Sequence, residues 1–159
     1  MIKFNIPSNF PTTKKYVLDV INGKNYGDFG KYYNLCVDFL EEFTGSKKII
    51  LTHSATSALE LSFQLLNLPR STALMPSYTF SSTANAALNN RLKVSWIDVN
   101  EEDLCSNIRE FNKSGIKKKI YVPVHYGSSA CDMTNLNYDA PVIEDAAQSL
   151  GVFHNNKHV

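Results

Sequence analysis

The sequence predicts an α/β fold organised on a parallel sheet, and three observations carry that prediction. Short apolar runs alternate with helical segments between residues 48 and 145. Several of these runs end in hydroxyl, imidazole or carboxylate residues, as strands do when their carboxyl ends open onto a ligand site. Composition agrees: 43% hydrophobic and 19% charged residues over 159 positions describe a globular chain the length of one domain.

Taken in order, residues 1–11 read as an extended arm closed by Pro7 and Pro11. Thr12 or Thr13 caps a short helix through Val20 that Gly23 ends, and Gly27-Asp28-Phe29-Gly30 is a turn. Tyr32, Leu35, Cys36, Phe39, Leu40 and Phe43 recur at helical spacing, so this segment is a helix whose aromatic stripe packs inward and which Gly45 stops. Lys48-Ile49-Ile50-Leu51-Thr52 is the first strand. The helix expected at 57–68 is apolar on most faces, which predicts burial on both sides. A strand at 73–76, a helix at 81–89 and a strand at 93–99 follow. Residues 100–113 form a polar loop with a weak helix, and strands at 120–124 and 142–145 complete the sheet. Repeats, low-complexity tracts and linkers are absent from the sequence.

Charge and cysteine usage narrow the function classes. A formal net charge of +1, with Lys117-Lys118-Lys119 as the one basic run, argues against a nucleic-acid partner. Cys36, Cys105 and Cys131 show no CxxC spacing, which fits reduced thiols in the cytoplasm, and no metal-ligand spacing appears. No signal-peptide core or membrane-length apolar run is present, so no membrane partner is expected.

Four strand exits carry groups that could meet a ligand. Ser54-Ala55-Thr56-Ser57 offers hydroxyls and helix-start amides suited to a phosphate, or simply a Ser/Thr cap. It is neither GxGxxG nor a Walker loop, so a dinucleotide or triphosphate is not indicated. Pro76-Ser77-Tyr78-Thr79-Phe80 supplies aromatics that either stack on a flat ring or belong to the core. His125-Tyr126-Gly127 places a histidine that reads as a hydrogen-bonded structural residue. Finally, Pro141-Val142-Ile143-Glu144-Asp145-Ala146-Ala147-Gln148 runs an apolar segment into two acids. Asp145 and Gln148 there either face one ligand or form a helix capping box. A phosphate cradle, a stacking aromatic and a buried acid together suit pyridoxal 5′-phosphate, whose ring nitrogen needs a carboxylate.

Four motifs in register carry a resemblance: Ser54-Ala55-Thr56-Ser57-Ala58-Leu59, Met75-Pro76-Ser77-Tyr78-Thr79-Phe80 followed by Ser82-Thr83-Ala84-Asn85-Ala86, Pro123-Val124-His125-Tyr126-Gly127 and Ile143-Glu144-Asp145-Ala146-Ala147-Gln148. The chain resembles the N-terminal part of the DegT/StrS-type, PLP-dependent sugar aminotransferases. Its nearest flavour is the branch that makes 4-amino-4,6-dideoxy sugar nucleotides for surface polysaccharide. The resemblance implies the three-layer, parallel-sheet large domain of fold type I, with Thr56 and Ser57 on the cofactor phosphate and Phe80 on the pyridine ring. It also implies Asp145 on the ring nitrogen and Gln148 near the ring hydroxyl. The partners implied are a nucleotide-linked keto sugar, an amino-acid donor such as glutamate, and a second subunit in a homodimer.

The resemblance also sets expectations of absence. Residues 1–159 would be a partial PLP-binding domain, with an arm and helices over 1–45 and the sheet region over 46–159. The family's Schiff-base lysine and C-terminal small domain would lie past Val159, leaving no catalytic residue in this chain and a truncated, inactive portion. Between Leu136 and Pro141 the chain is short for the family, so the helix before the last strand should be missing or stunted. Two alternatives accompany this reading: a non-catalytic remnant or binding module, and a sugar dehydratase on the same scaffold with histidine in place of the lysine.

Overall fold

Local chemistry sets where the helices start and stop. In the computed structural model, which describes Ile6 and residues 10–24, 26–27 and 29–159, α1 (Pro11–Gly23) begins after Phe10. Pro11 takes the first position, where no N–H is required, and Lys24 closes the helix in the left-handed region. The cap expected at Thr12 or Thr13 is thus corrected: both sit inside the helix, which has no side-chain cap. The arm expected at 1–11 and Asp28 of the expected turn lie largely outside the described residues. α2 (Lys31–Thr44) stops on Gly45 at φ 71, where a side chain would be strained.

Residues 48–52 do not form the expected first strand. The Ile49 amide donates to Glu41 Oε1 at 3.2 Å, and Ile50 is exposed. A β-rich composition becomes a strand only where a neighbour completes the ladder, and no described strand runs beside this one. α3 (Ala55–Leu66) starts two residues before the expected 57, because Ser54 Oγ accepts the Ser57 amide at 3.2 Å and caps it. It buries Leu59 and Phe63 but leaves Leu65 70% exposed, so one face is covered where two were expected.

β1 (Thr72–Pro76) leads into α4 (Ser81–Asn89), and β2 (Lys93–Ile97) ends two residues short of the expected 99. α5 (Ile108–Lys113) is the weak helix of the polar segment, capped by the Asn107 side chain, which accepts from the Arg109 amide. β3 (Lys119–Tyr121) follows. A small antiparallel hairpin of β4 (Phe153–His154) and β5 (Lys157–His158) turns through Asn155 and Asn156, both at positive φ.

The sheet runs β2-β1-β3, all parallel. Residues 141–145 lie along the outer side of β3, also parallel. Tyr121 N–H donates to Pro141 O, Ile143 N–H to Tyr121 O, Asp145 N–H to Pro123 O, and His125 N–H to Asp145 O, at 2.9 to 3.0 Å. In this register residue 123 should donate to the Ile143 carbonyl, but it is proline and has no N–H. The strands expected at 120–124 and 142–145 are therefore corrected to β3 plus two separate bridges, Tyr121↔Val142 and Val124↔Asp145.

Side-chain alternation along the strands divides the core in two. Ala73, Met75, Ile120 and Val122 face Leu59 and Phe63 of α3 and Ala86 and Ala87 of α4. Leu74 and Tyr121 face Phe111 of α5, Cys105, Cys131 and Leu136. Helices, sheet and helix with loops thus make three layers. Each large side chain buried here contributes about 1.5–3 kcal/mol. No helix forms between residues 134 and 141. Instead Asp139 takes the Tyr121 hydroxyl at 2.7 Å and the Lys119 ammonium at 2.9 Å, tying this short connection to β3.

The aromatic stripe of α2 is the remaining correction. No described residue of α1 or α2 is buried; Leu35 and Phe39 are 52% and 61% exposed. Two stripe residues find packing beyond the helix: Tyr32 lies against Tyr16 of α1, and Phe43 sits edge-on to Phe153 and His158 of the hairpin. No described helix is long and apolar enough to cross a membrane.

Candidate cofactor site

Chain exits at the carboxyl edge of the sheet converge on one cavity of about 220 Å³. Thr56 reaches it from the first turn of α3, Phe80 from the residue before α4, and Asp145 and Gln148 from the end of the outer parallel run. Thr79, Ser82, His125 and Tyr126 also contribute polar groups to the lining. Ser57, the fifth residue expected at the site, is not among those lining the cavity. Its hydroxyl pairs with His53 Nε2 at 3.1 Å and Ser54 Oγ at 3.2 Å, within the capping network of α3.

Asp145 is buried, at 7% exposure. Thr83 donates its hydroxyl to Asp145 Oδ2 at 2.6 Å, and the Ala147 amide reaches Oδ1 at 3.3 Å. One oxygen is firmly held and the other only loosely. No helix follows Asp145, and Gln148 does not turn back to it: Gln148 Oε1 accepts from Gly127 N–H at 3.0 Å. The capping-box alternative is therefore set aside, and the Gln148 amide NH₂ is left as a donor.

Phe80 is 76% exposed and Tyr78 48%, so neither aromatic belongs to the core. Across the cavity, α3 presents its N-terminus, where among the described residues nothing accepts from the Ala55 and Thr56 amides. Tyr126 donates to the Tyr78 hydroxyl at 3.1 Å, and that bond first, then burial, holds the Tyr126 phenol above its ordinary pKa.

His125 is hydrogen-bonded through both ring nitrogens. Its ring is buried: Nδ1 accepts the Cys131 amide and Nε2 meets Glu144 Oε2, both at 2.9 Å. Cys105 and Cys131 lie beneath in the core, and burial pushes the Cys131 thiol up to about 12, leaving it inert as a nucleophile. Sequence reasoning missed Thr83, whose partner is 62 residues away. The sequence shows it only as part of the motif Ser82-Thr83-Ala84-Asn85-Ala86, with nothing local to give it a role.

A larger groove of about 780 Å³ lies between α1, α2 and residues 50–51. Its charged groups are engaged with one another: Asp19 pairs with Lys31 at 3.3 Å and takes the Tyr32 hydroxyl at 2.7 Å. The smaller cavity is the one with a loosely held buried acid and open helix-start amides.

Comparison with known proteins points the same way. The chain is 33% identical over 138 residues to the UDP-4-amino-4,6-dideoxy-N-acetyl-beta-L-altrosamine transaminase of Campylobacter jejuni, covering 82% of this chain and 37% of that one. Among solved structures, 3-amino-5-hydroxybenzoic acid synthase superposes with a TM-score of 0.91 at 20% identity, over 96% of this chain and 42% of its own. GDP-4-keto-6-deoxy-D-mannose-3-dehydratase of Escherichia coli, solved with bound hydrated PLP, gives 0.89 at 18% identity, over 97% and 43%. The chain thus spans about a third of the length of the curated relatives it matches. The likeness to the solved structures establishes the three-layer fold, and a family model matches residues 9–159: the chain belongs to the DegT/DnrJ/EryC1/StrS aminotransferase family.

Proposed function

We propose that the cavity at the sheet's carboxyl edge holds pyridoxal 5′-phosphate and that this chain is the cofactor-binding portion of a sugar aminotransferase. The observation that carries this reading is the buried Asp145 carboxylate, with one loosely held oxygen, in a cavity flanked by the exposed ring of Phe80. The residues present fit the cofactor. Asp145 would keep a proton on the ring nitrogen. Phe80 would cover one face of the ring and exclude water. The Ala55 and Thr56 amides and the Thr56 hydroxyl would take the phosphate at the positive end of α3. Gln148 would donate its free NH₂ to the ring hydroxyl oxygen. Ser57 would join the phosphate only by giving up its bond to His53. When bound, the cofactor supplies the electron sink that amino transfer requires.

The relatives extend the reading. A nucleotide-linked keto sugar would be the acceptor and an amino acid, glutamate, the donor, in a cytoplasmic homodimer. The solvent-facing stripe of α2 supports the second subunit. Among the described residues no lysine lines the cavity. Lys93 and Lys119 open β2 and β3 at the opposite end of the sheet, and Lys157 lies on the hairpin. These 159 residues would therefore bind without catalysing, since amino transfer needs a lysine to carry the proton.

The test is uptake of pyridoxal 5′-phosphate by the 159-residue chain and by its Asp145→Ala variant, with borohydride trapping and an amination assay. Saturable uptake lost in the variant, with no single labelled lysine and no turnover, is expected. Uptake unaffected by Asp145→Ala would overturn the site. A single stoichiometrically labelled lysine, with glutamate-dependent amination of a 4-keto-6-deoxy sugar nucleotide, would overturn the binding-only role.

A further inference from the structure

We infer that Thr83 is a positioning residue for the ring-nitrogen carboxylate, setting which oxygen of Asp145 faces the cofactor; the inference rests on the cofactor reading above. Thr83 lies on the third residue of α4 and is fully buried. Its oxygen is 2.6 Å from Asp145 Oδ2, a length typical of a hydroxyl donating to a charged carboxylate. An ionised carboxylate only accepts, so the single Thr83 proton is committed to Asp145. Thr79 Oγ1, 2.8 Å from Thr83 Oγ1, must then donate into it. Thr79 lines the cavity, so a directed chain of two hydroxyls runs from the cavity wall to the acid.

Two consequences follow for Asp145. Oδ2 is tied back toward α4, so Oδ1, held only by the 3.3 Å bond from Ala147, is the oxygen left for a ring N–H. The carboxylate is also restrained in rotation, because its firm bond comes from a helix residue with no freedom to follow it. Valine at position 83 matches threonine in shape but donates nothing. It would leave the acid free to turn and its buried Oδ2 without a partner.

The test uses two probes that cannot form imines with surface lysines. One is pyridoxine 5′-phosphate and the other its analogue with CH in place of the ring nitrogen; binding to the 159-residue chain is read by calorimetry. Wild type should prefer the first probe. Thr83→Val should weaken the first about tenfold and leave the second unchanged, while Thr83→Ser restores wild-type binding. Equal weakening of both probes, or no change in either, would show a merely structural role and overturn the inference. Wild type that binds neither probe, or both equally, would instead overturn the cofactor reading on which it rests. Should Thr83→Val fail to fold, wild-type NMR decides. The inference requires a slowly exchanging Thr83 hydroxyl proton coupled across the hydrogen bond to the Asp145 carboxyl carbon, and its absence overturns it.

Discussion

His125 and Glu144 meet at 2.9 Å, and the contact leaves the imidazole no choice of tautomer. Because Nδ1 already accepts the Cys131 amide, Nε2 must carry the hydrogen and donate it to the carboxylate. The ring therefore joins the loop at 131 to the outer run of the sheet. His125→Ala should destabilise the chain by about 2–4 kcal/mol, since it empties a buried site and orphans an amide. Glu144→Gln should cost less than about 1 kcal/mol, because the carboxamide oxygen still accepts. Denaturant titration of the two variants checks this; equal losses would show that charge, not acceptance, matters at residue 144.

Asp139 predicts a pH dependence. The Lys119 ammonium first, then the Tyr121 hydroxyl, hold its carboxyl below the ordinary carboxylate pKa. The folded value is depressed, so the stabilisation is fully present above the ordinary pKa near 4 and fades as pH falls through the lower folded value. Asp139→Asn should melt slightly lower than wild type at pH 7, and the two melting curves should converge once pH falls below the depressed folded value. A difference that persists at low pH would mean that hydrogen-bond geometry carries the contact.

Phe80 separates binding from stability. With its ring 76% exposed it contributes little to the core, so Phe80→Ala should change stability by no more than about 0.5 kcal/mol. Stacking on an aromatic ligand is worth about 0.5–1.5 kcal/mol, so affinity for pyridoxal 5′-phosphate should fall by about two- to twelvefold. Calorimetry beside thermal melting tests both halves. An unchanged affinity would remove Phe80 from the site.

The outward stripe of α2 should drive association. Phe39 stacks on Phe43 with ring centroids 5.6 Å apart and is 61% exposed. Sedimentation at tens of micromolar should show oligomers in wild type and fewer in Phe39→Glu. The melting temperature extrapolated to dilute protein should be the same for both.

What the sequence makes legible is local or periodic. Helix α4 matches its expected 81–89 span, and Gly45 ends α2 where the spacing requires it. The hydroxyls of Ser54-Ala55-Thr56-Ser57 announce a helix start, although Ser54 is the residue that caps it. Thr56, Phe80, Asp145 and Gln148 each stand out in the sequence just after an apolar run, and they share one cavity. What escapes reading depends on distant partners. Residues 48–52 look like a strand but have no neighbour to pair with among the described residues. The α2 periodicity announces an apolar face without saying what covers it. Thr83 is one small residue among several until the fold sets it against Asp145.

Pro123 has a further effect on how the sheet edge breathes. Without its N–H, the outer run is fastened at two separate points rather than along a continuous seam. Fraying that starts at Pro141, beside the short connection, can open the Tyr121–Ile143 contacts without pulling on those of Asp145 and His125. Hydrogen exchange should show it: the Ile143 amide exchanging through frequent local openings, and the Asp145 and His125 amides only with the core. The proline acts as a firebreak, leaving the acid at residue 145 insulated from motion a few residues upstream.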